Sequence, residues 1–135
     1  MLLGQDQAEI DSLLKSAKHD TTKAYYLIGL LSNAKHDITR AKLLKNIGVL
    51  YYYLGDYKET CNYWTKSLKL YEKLGDKSGI AASLGNIAVL YKDQGNYEQA
   101  LDYHSQCLKL FEKTGNKKGI VYALNNIGYL YYEQN

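Results

Sequence analysis

The stretch Asn46-Ile47-Gly48-Val49-Leu50-Tyr51 returns forty residues later as Asn86-Ile87-Ala88-Val89-Leu90-Tyr91, and forty later again as Asn126-Ile127-Gly128-Tyr129-Leu130-Tyr131. The flanking sequence keeps the same register: residues 40–79 and 80–119 match without a gap at 18 of 40 positions. A third copy is legible from Ile120 to Asn135. A fixed period of this length marks a protein built of stacked repeats, each burying its apolar face against its neighbours.

Within the period the spacing is helical. Leu44, Ile47 and Tyr51 stand at i, i+3 and i+7, as do Leu84, Ile87 and Tyr91, and Leu124, Ile127 and Tyr131. Gly55 followed by Asp56, with Glu59 three residues on, reads as a helix stop and a new N-cap; Gly95, Asn96 and Gln99 repeat the device. Lys73 with Gly75, and Lys113 with Gly115, end the second helices, and Asp76 and Asn116 can cap the helices that follow. Helices are therefore predicted over about 38–54, 57–73, 77–93, 97–113 and 117–133. Upstream, Ala8, Ile10, Leu13, Leu14 and Ala17 predict a helix over 5–18, and Ala24, Leu27, Ile28, Leu30 and Leu31 another near 21–34. Ala17-Lys18-His19-Asp20 is echoed by Ala34-Lys35-His36-Asp37. The His-Asp pairs admit a metal or catalytic reading, set against plain helix punctuation in which Asp20 and Asp37 cap the next helix; punctuation is preferred. Every connection is short, so about seven helices run antiparallel to their neighbours and the fold is all-α. The expected division is a divergent helix pair over 1–37, one repeat over 38–76, a second over 77–116, and the first helix of a third over 117–135.

Composition excludes several function classes. Lys and Arg number 17 and Asp and Glu 14, a net charge of +3, and the two signs alternate along the chain. That is the pattern of solvated helix faces, not of a nucleic-acid footprint. No apolar run is long enough for a membrane span or a secretory leader. Cys61 and Cys107 occupy different repeat positions and form no C-x-x-C pair, which suits reduced, packed thiols in a cytoplasmic protein. There is no proline to break a helix. Fifteen tyrosines stand against one Phe and one Trp, which suits grooves and interfaces or reflects a compositional bias. The three histidines adjoin no plausible nucleophile with an orienting acid, and no zinc, Walker or phosphate-loop motif is present. Neither an enzyme nor a cofactor is expected.

A forty-residue helix-turn-helix unit reading L-x-N-I-G/A-x-L-Y, then G-D/N-Y, then A-L-x-Y and L-K-L resembles the tetratricopeptide repeat in its longer form. The resemblance covers roughly residues 38–135. It implies a helical-hairpin solenoid wound as a right-handed superhelix, with Gly48, Ala88 and Gly128 as the small residues of close helix approach. Ala100 matches the small contact of the second helix, where the first unit has Thr60. Trp64 and His104 match its aromatic position, which makes His104 a packing residue. The late proline of the family is absent, with Glu72 and Glu112 in its place.

The same resemblance implies a non-catalytic scaffold that holds a protein or an extended peptide in a concave groove lined by the first helices. Relative to the apolar stripe, the side chains facing such a groove are Lys42, Lys45, Asn46, Val49, Tyr52 and Tyr53 in the first copy. The second copy supplies Asn86, Val89, Lys92 and Asp93, beside Ala82 and Gly85. The third supplies Asn125, Asn126, Tyr129 and Tyr132, beside Tyr122 and Glu133. The recurrent asparagines, poor helix formers in mid-helix, offer one acceptor and two donors each to a peptide backbone; alternatively they bond to neighbouring repeats. The carboxylate clamp of chaperone-tail binders is missing, since its sites hold Val49, Gly85, Val89 and Tyr129 beside Lys45 and Asn125. Nucleic acid and membrane are not expected partners. Self-association through the helix over 117–133 is, because Ile120, Val121, Leu124, Ile127 and Tyr131 share one face of it. The lead-in, Ile10 to Leu14 and Asp20 to Tyr25, is also similar to stretches preceding such arrays in bacterial histidine kinases and cyclases, so a sensory segment of a signalling protein is the alternative.

Overall fold

The computed structural model describes residues 21–135, which form six α-helices and, among these residues, no strand. They are α1 (Thr21–Asn33), α2 (Asp37–Leu54), α3 (Tyr57–Leu74), α4 (Lys77–Asp93), α5 (Tyr97–Thr114) and α6 (Lys117–Gln134). The helix expected over 5–18, and His19 and Asp20, lie outside the described residues.

One joint recurs every twenty residues. Gly55, Gly75, Gly95 and Gly115 all take φ between 67° and 80°, the left-handed conformation that lets the chain leave a helix without a Cβ clash. The next residue then caps the following helix: Asp56 Oδ1 accepts from the Glu59 amide at 3.1 Å, Asp76 Oδ1 from Gly79 at 2.9 Å, Asn96 Oδ1 from Gln99 at 3.3 Å and Asn116 Oδ1 from Gly119 at 2.9 Å. The start of α2 departs from this rule and from expectation. Its N-cap is His36, which makes no side-chain cap bond, and Asp37 lies one residue inside the helix. No glycine turn sets up an Asx cap there, and the Asp37 carboxylate instead pairs with Lys73 at the far end of α3, 3.0 Å away.

The helices fall into two compact units, one ending at Leu74 and the other beginning at Gly75. In the first, Ala24 and Leu27 of α1 pack with Leu43, Ile47 and Leu50 of α2, flanked by Ile28, Leu30, Leu31 and Tyr63. The other side of α2 meets α3 through a very close contact: a Cβ on Gly48 would collide with the indole of Trp64. That indole donates to the Lys45 carbonyl at 3.1 Å, Ser67 Oγ donates to the Ala41 carbonyl at 2.7 Å, and Tyr51 stacks on Tyr63 with centroids 5.6 Å apart. Apolar burial and buried donors with fixed acceptors thus specify the same register.

The second unit repeats this scheme with substitutions. Ala88 of α4 and Ala100 of α5 are fully buried, Tyr91 stacks on Tyr103 at 5.5 Å, and Cys107 Sγ donates to the Ala81 carbonyl at 3.4 Å, as Ser67 does to Ala41. Burial pushes the Cys107 thiol up to about 11, so it stays protonated. Between α5 and α6, Gly119 lies under the ring of Phe111, a close approach that sequence reasoning did not single out. Gly128 differs from Gly48: it is exposed, and a Cβ there would meet nothing within 4 Å. The third stripe is likewise open at Leu124 and Tyr131, because no helix in the described chain covers it.

Candidate functional site

Two apolar stripes on α2, one toward α1 and one toward α3, leave a single arc of that helix facing outward. Lys42 and Tyr53 are exposed on it, and Lys45 and Val49 are half-buried. Two residues expected on this arc are elsewhere. Asn46 is only 2 % exposed, and among the described residues its side-chain nitrogen has no hydrogen-bond partner. The cause is its spacing: Leu43, Asn46 and Leu50 stand at i, i+3 and i+7, so the asparagine belongs to a buried stripe. Tyr52 turns toward α3, stacking on Trp64 (5.8 Å) and Tyr57 (5.7 Å) with Tyr53 edge-on at 5.7 Å.

In the second unit α4 and α6 bring several of the expected residues together. The Lys92 ammonium sits 5.5 Å from the centroid of the Tyr129 ring and 3.7 Å from the Asp93 carboxylate. Tyr129 is 49 % exposed, and the negative charge of Glu133 raises its phenol above the ordinary range. Tyr132, at 77 %, is among the most open large side chains of the described chain, and Asn125 is exposed beside it. Asn86 and Val89 are half-buried on α4. Asn126, also half-buried, uses its amide nitrogen on its own helix, donating to the Tyr122 carbonyl at 3.0 Å. The asparagines therefore do not form a uniform row of free amides.

Beneath this surface lies His104. It is buried, with Tyr122 edge-on at 6.1 Å, and among the described residues its Nδ1 has no partner. Burial, aided by the Lys92 charge, lowers its pKa to about 4, so the ring is neutral near pH 7. It packs, as expected of the aromatic position. Tyr122 also covers Gly85, where an added Cβ would stand 3.2 Å from the phenol oxygen. Sequence reasoning placed Tyr122 on the outer face without this second role; the glycine opposite it, where the other copies have Lys45 and Asn125, was the available signal.

A shallow hollow of about 230 Å³ between Lys77, Ser78, Ala81, Leu110, Phe111, Thr114 and Asn116 contains none of the expected groove residues. Among the described residues no cluster of His, Cys, Asp or Glu could hold a metal ion, and no helix is long and apolar enough to cross a membrane.

The sequence profile of the tetratricopeptide repeat matches residues 39–113 and 79–135. No curated protein matches the sequence. Among the solved structures that do match is the crystal structure of BtubC (BKLC) from P. vanneervenii, at 20% identity and a TM-score of 0.66. The match covers 96% of this chain and 51% of that one, so the chain spans about half the length of that protein and shares its fold. With overlapping profile matches from residue 39 to 135, and the same helical hairpins in both units, the chain belongs to the tetratricopeptide repeat family.

Proposed function

We propose that the chain is a non-catalytic interaction module that holds a peptide or protein segment against its first helices. Tetratricopeptide repeats generally mediate protein–protein contacts, and that much follows from membership of the family. The observation that carries the finer reading is the open arc on α4 and α6. Tyr122, Tyr129 and Tyr132 present wide, partly polar faces to solvent, with Lys92 and Glu133 among them. Rings of this kind give large contact area at low entropic cost and keep a hydroxyl for a backbone carbonyl or amide. The guest that fits is an extended segment with apolar anchors and polar backbone exposed between them. Lys42, Lys45, Val49 and Tyr53 of α2 are the corresponding contacts proposed for the first unit; Asn46 and Tyr52 are not among them.

A peptide-array screen of the intact chain, repeated with the double variant Tyr129→Ala, Tyr132→Ala, tests this. Both rings are exposed, so helicity should be unchanged, while affinity for the hits falls by about tenfold or more. Hits indifferent to both substitutions would place binding on another surface and overturn the reading.

A further inference from the structure

The hollow between α4 and α5 differs from the same place one repeat earlier in the residues at its rim. Forty residues upstream, the positions of Ser78 and Thr114 hold Ile38 and Leu74, and the position of Lys77 holds Asp37. Ala81 and Leu110 are unchanged there, as Ala41 and Leu70. Both copies therefore share a floor, but the second has two short hydroxylated side chains where the first has two branched aliphatic ones.

The charges change with them. In the first unit Lys73, at the end of α3, pairs with Asp37, at the start of α2, 3.0 Å away. The equivalent positions in the second unit are Lys113 and Lys77, so a salt bridge becomes two cations. Among the described residues neither lysine has an ion-pair or hydrogen-bond partner. The acids beside them in sequence do not answer them. Asp76 commits its carboxylate to the Gly79 amide, and Glu112 forms no ion pair among the described residues.

The donors at the rim are likewise unused. Lys77 Nζ and Ser78 Oγ border the hollow without a partner among the described residues, and Asn116, whose Oδ1 accepts from Gly119, keeps its amide nitrogen. Thr114 differs, because its hydroxyl already donates to the Leu110 carbonyl at 3.0 Å. Ala81, Leu110 and Phe111 are apolar, and the open volume is about 230 Å³. A cavity of about 150 Å³ holds a benzene-sized molecule, so an apolar body of about six heavy atoms fits here with room for a polar head.

We propose that this hollow binds a short aliphatic carboxylate. Its carboxylate takes the place that Asp37 has in the first unit, between Lys77 and Lys113, and accepts from Ser78 and Asn116. Its branched hydrocarbon lies on Ala81 and Leu110, in the place given to Ile38 and Leu74 in the other copy. The ligand supplies the two things that the second copy lacks, a counter-charge and aliphatic volume. A free acid and the carboxyl end of a polypeptide closing in Leu or Ile share this chemistry. The site has no residue in common with the arc proposed above to hold a peptide.

The test is a titration of the intact, isotope-labelled protein with sodium isocaproate at fixed ionic strength, read by amide NMR. Saturable shifts are expected at Ser78, Ala81, Leu110 and Asn116, with a dissociation constant on the order of 1 mM. Isocaproamide, the same body without the charge, should bind about tenfold more weakly. Lys77→Asp gives Lys113 an acid from within the chain, and Ser78→Ile fills the hollow; each should abolish the shifts. Both positions are exposed, so the rest of the spectrum should remain that of the folded chain. N-acetylleucine separates the two sources: tighter binding than isocaproate marks a chain end as the ligand, and weaker binding a free acid. The proposal is overturned if no shift saturates, if acetate or isocaproamide binds as well as isocaproate, or if either variant binds like the wild type.

Discussion

His104 couples the second unit to pH. Its ring stays neutral in the folded chain down to about pH 4, whereas in the unfolded chain it takes a proton below the ordinary value of 6.5. Above that value the difference contributes nothing; as pH falls from 6.5 toward 4 the unfolded state gains protons that the folded state refuses, and stability drops. Urea unfolding of the wild type should show a loss on the order of 2 kcal/mol at about pH 5 relative to neutral pH, beyond the loss seen in His104→Phe. The variant keeps an aromatic ring against Tyr122 and removes the titrating group. Parallel pH profiles for the two proteins would mean that the ring is hydrated in solution. A histidine at the aromatic repeat position was readable from the sequence as a packing residue. Its missing Nδ1 partner was not, because that depends on what Tyr122 and Lys92 bring to it from other helices.

At the scale of the helix, two glycines at equivalent repeat positions should respond to alanine with opposite sign. Gly48→Ala drives a methyl into the Trp64 indole, whose Nε1 is tied to the Lys45 carbonyl, and should destabilise by about 1–3 kcal/mol. Gly128→Ala meets open space in an exposed helix interior and should stabilise by up to about 1 kcal/mol. Thermal melts of the two variants decide this, and equal shifts would refute the packing difference. The sequence pattern marked both as sites of close approach, since it records which residue recurs and not whether a neighbour is present. The helices themselves were legible to within a residue or so, because each boundary is set locally by glycine and the Asx cap after it. The candidate site was less so. Asn46 is chemically suited to a peptide, yet Leu43 and Leu50 place it inside a buried stripe, and Tyr52 is claimed by Trp64 and Tyr57. A polar type at helical spacing says what a side chain can do; the packing around it decides whether it is available.

For the whole chain, the twenty-residue recurrence of one joint makes the repeat separable. Excising residues 56–95 would join Gly55 to Asn96-Tyr97, re-creating the Gly-Asx-Tyr joint of Gly55-Asp56-Tyr57. The shortened chain should keep its helicity per residue by circular dichroism and melt cooperatively, at a lower temperature because fewer interfaces remain. An excision one residue shorter turns every downstream contact by about 100° about the helix axis and should not. Equal melts for the two deletions would show that the joint does not govern assembly. The period, read from three short words of sequence, was enough to give the all-α architecture, and the shared apolar face of Val121, Leu124 and Tyr131 on α6 was legible there too; the empty space above Gly128 was not, because the repeat pattern marks that position as one of close approach.

The left-handed glycines have a consequence in descent as well as in folding. Any two of these joints in phase are interchangeable partners for unequal recombination, and a crossover between them adds or removes whole hairpins without leaving a seam to repair. Length in such a lineage can drift in steps of forty residues, while selection acts separately on the side chains that each copy exposes.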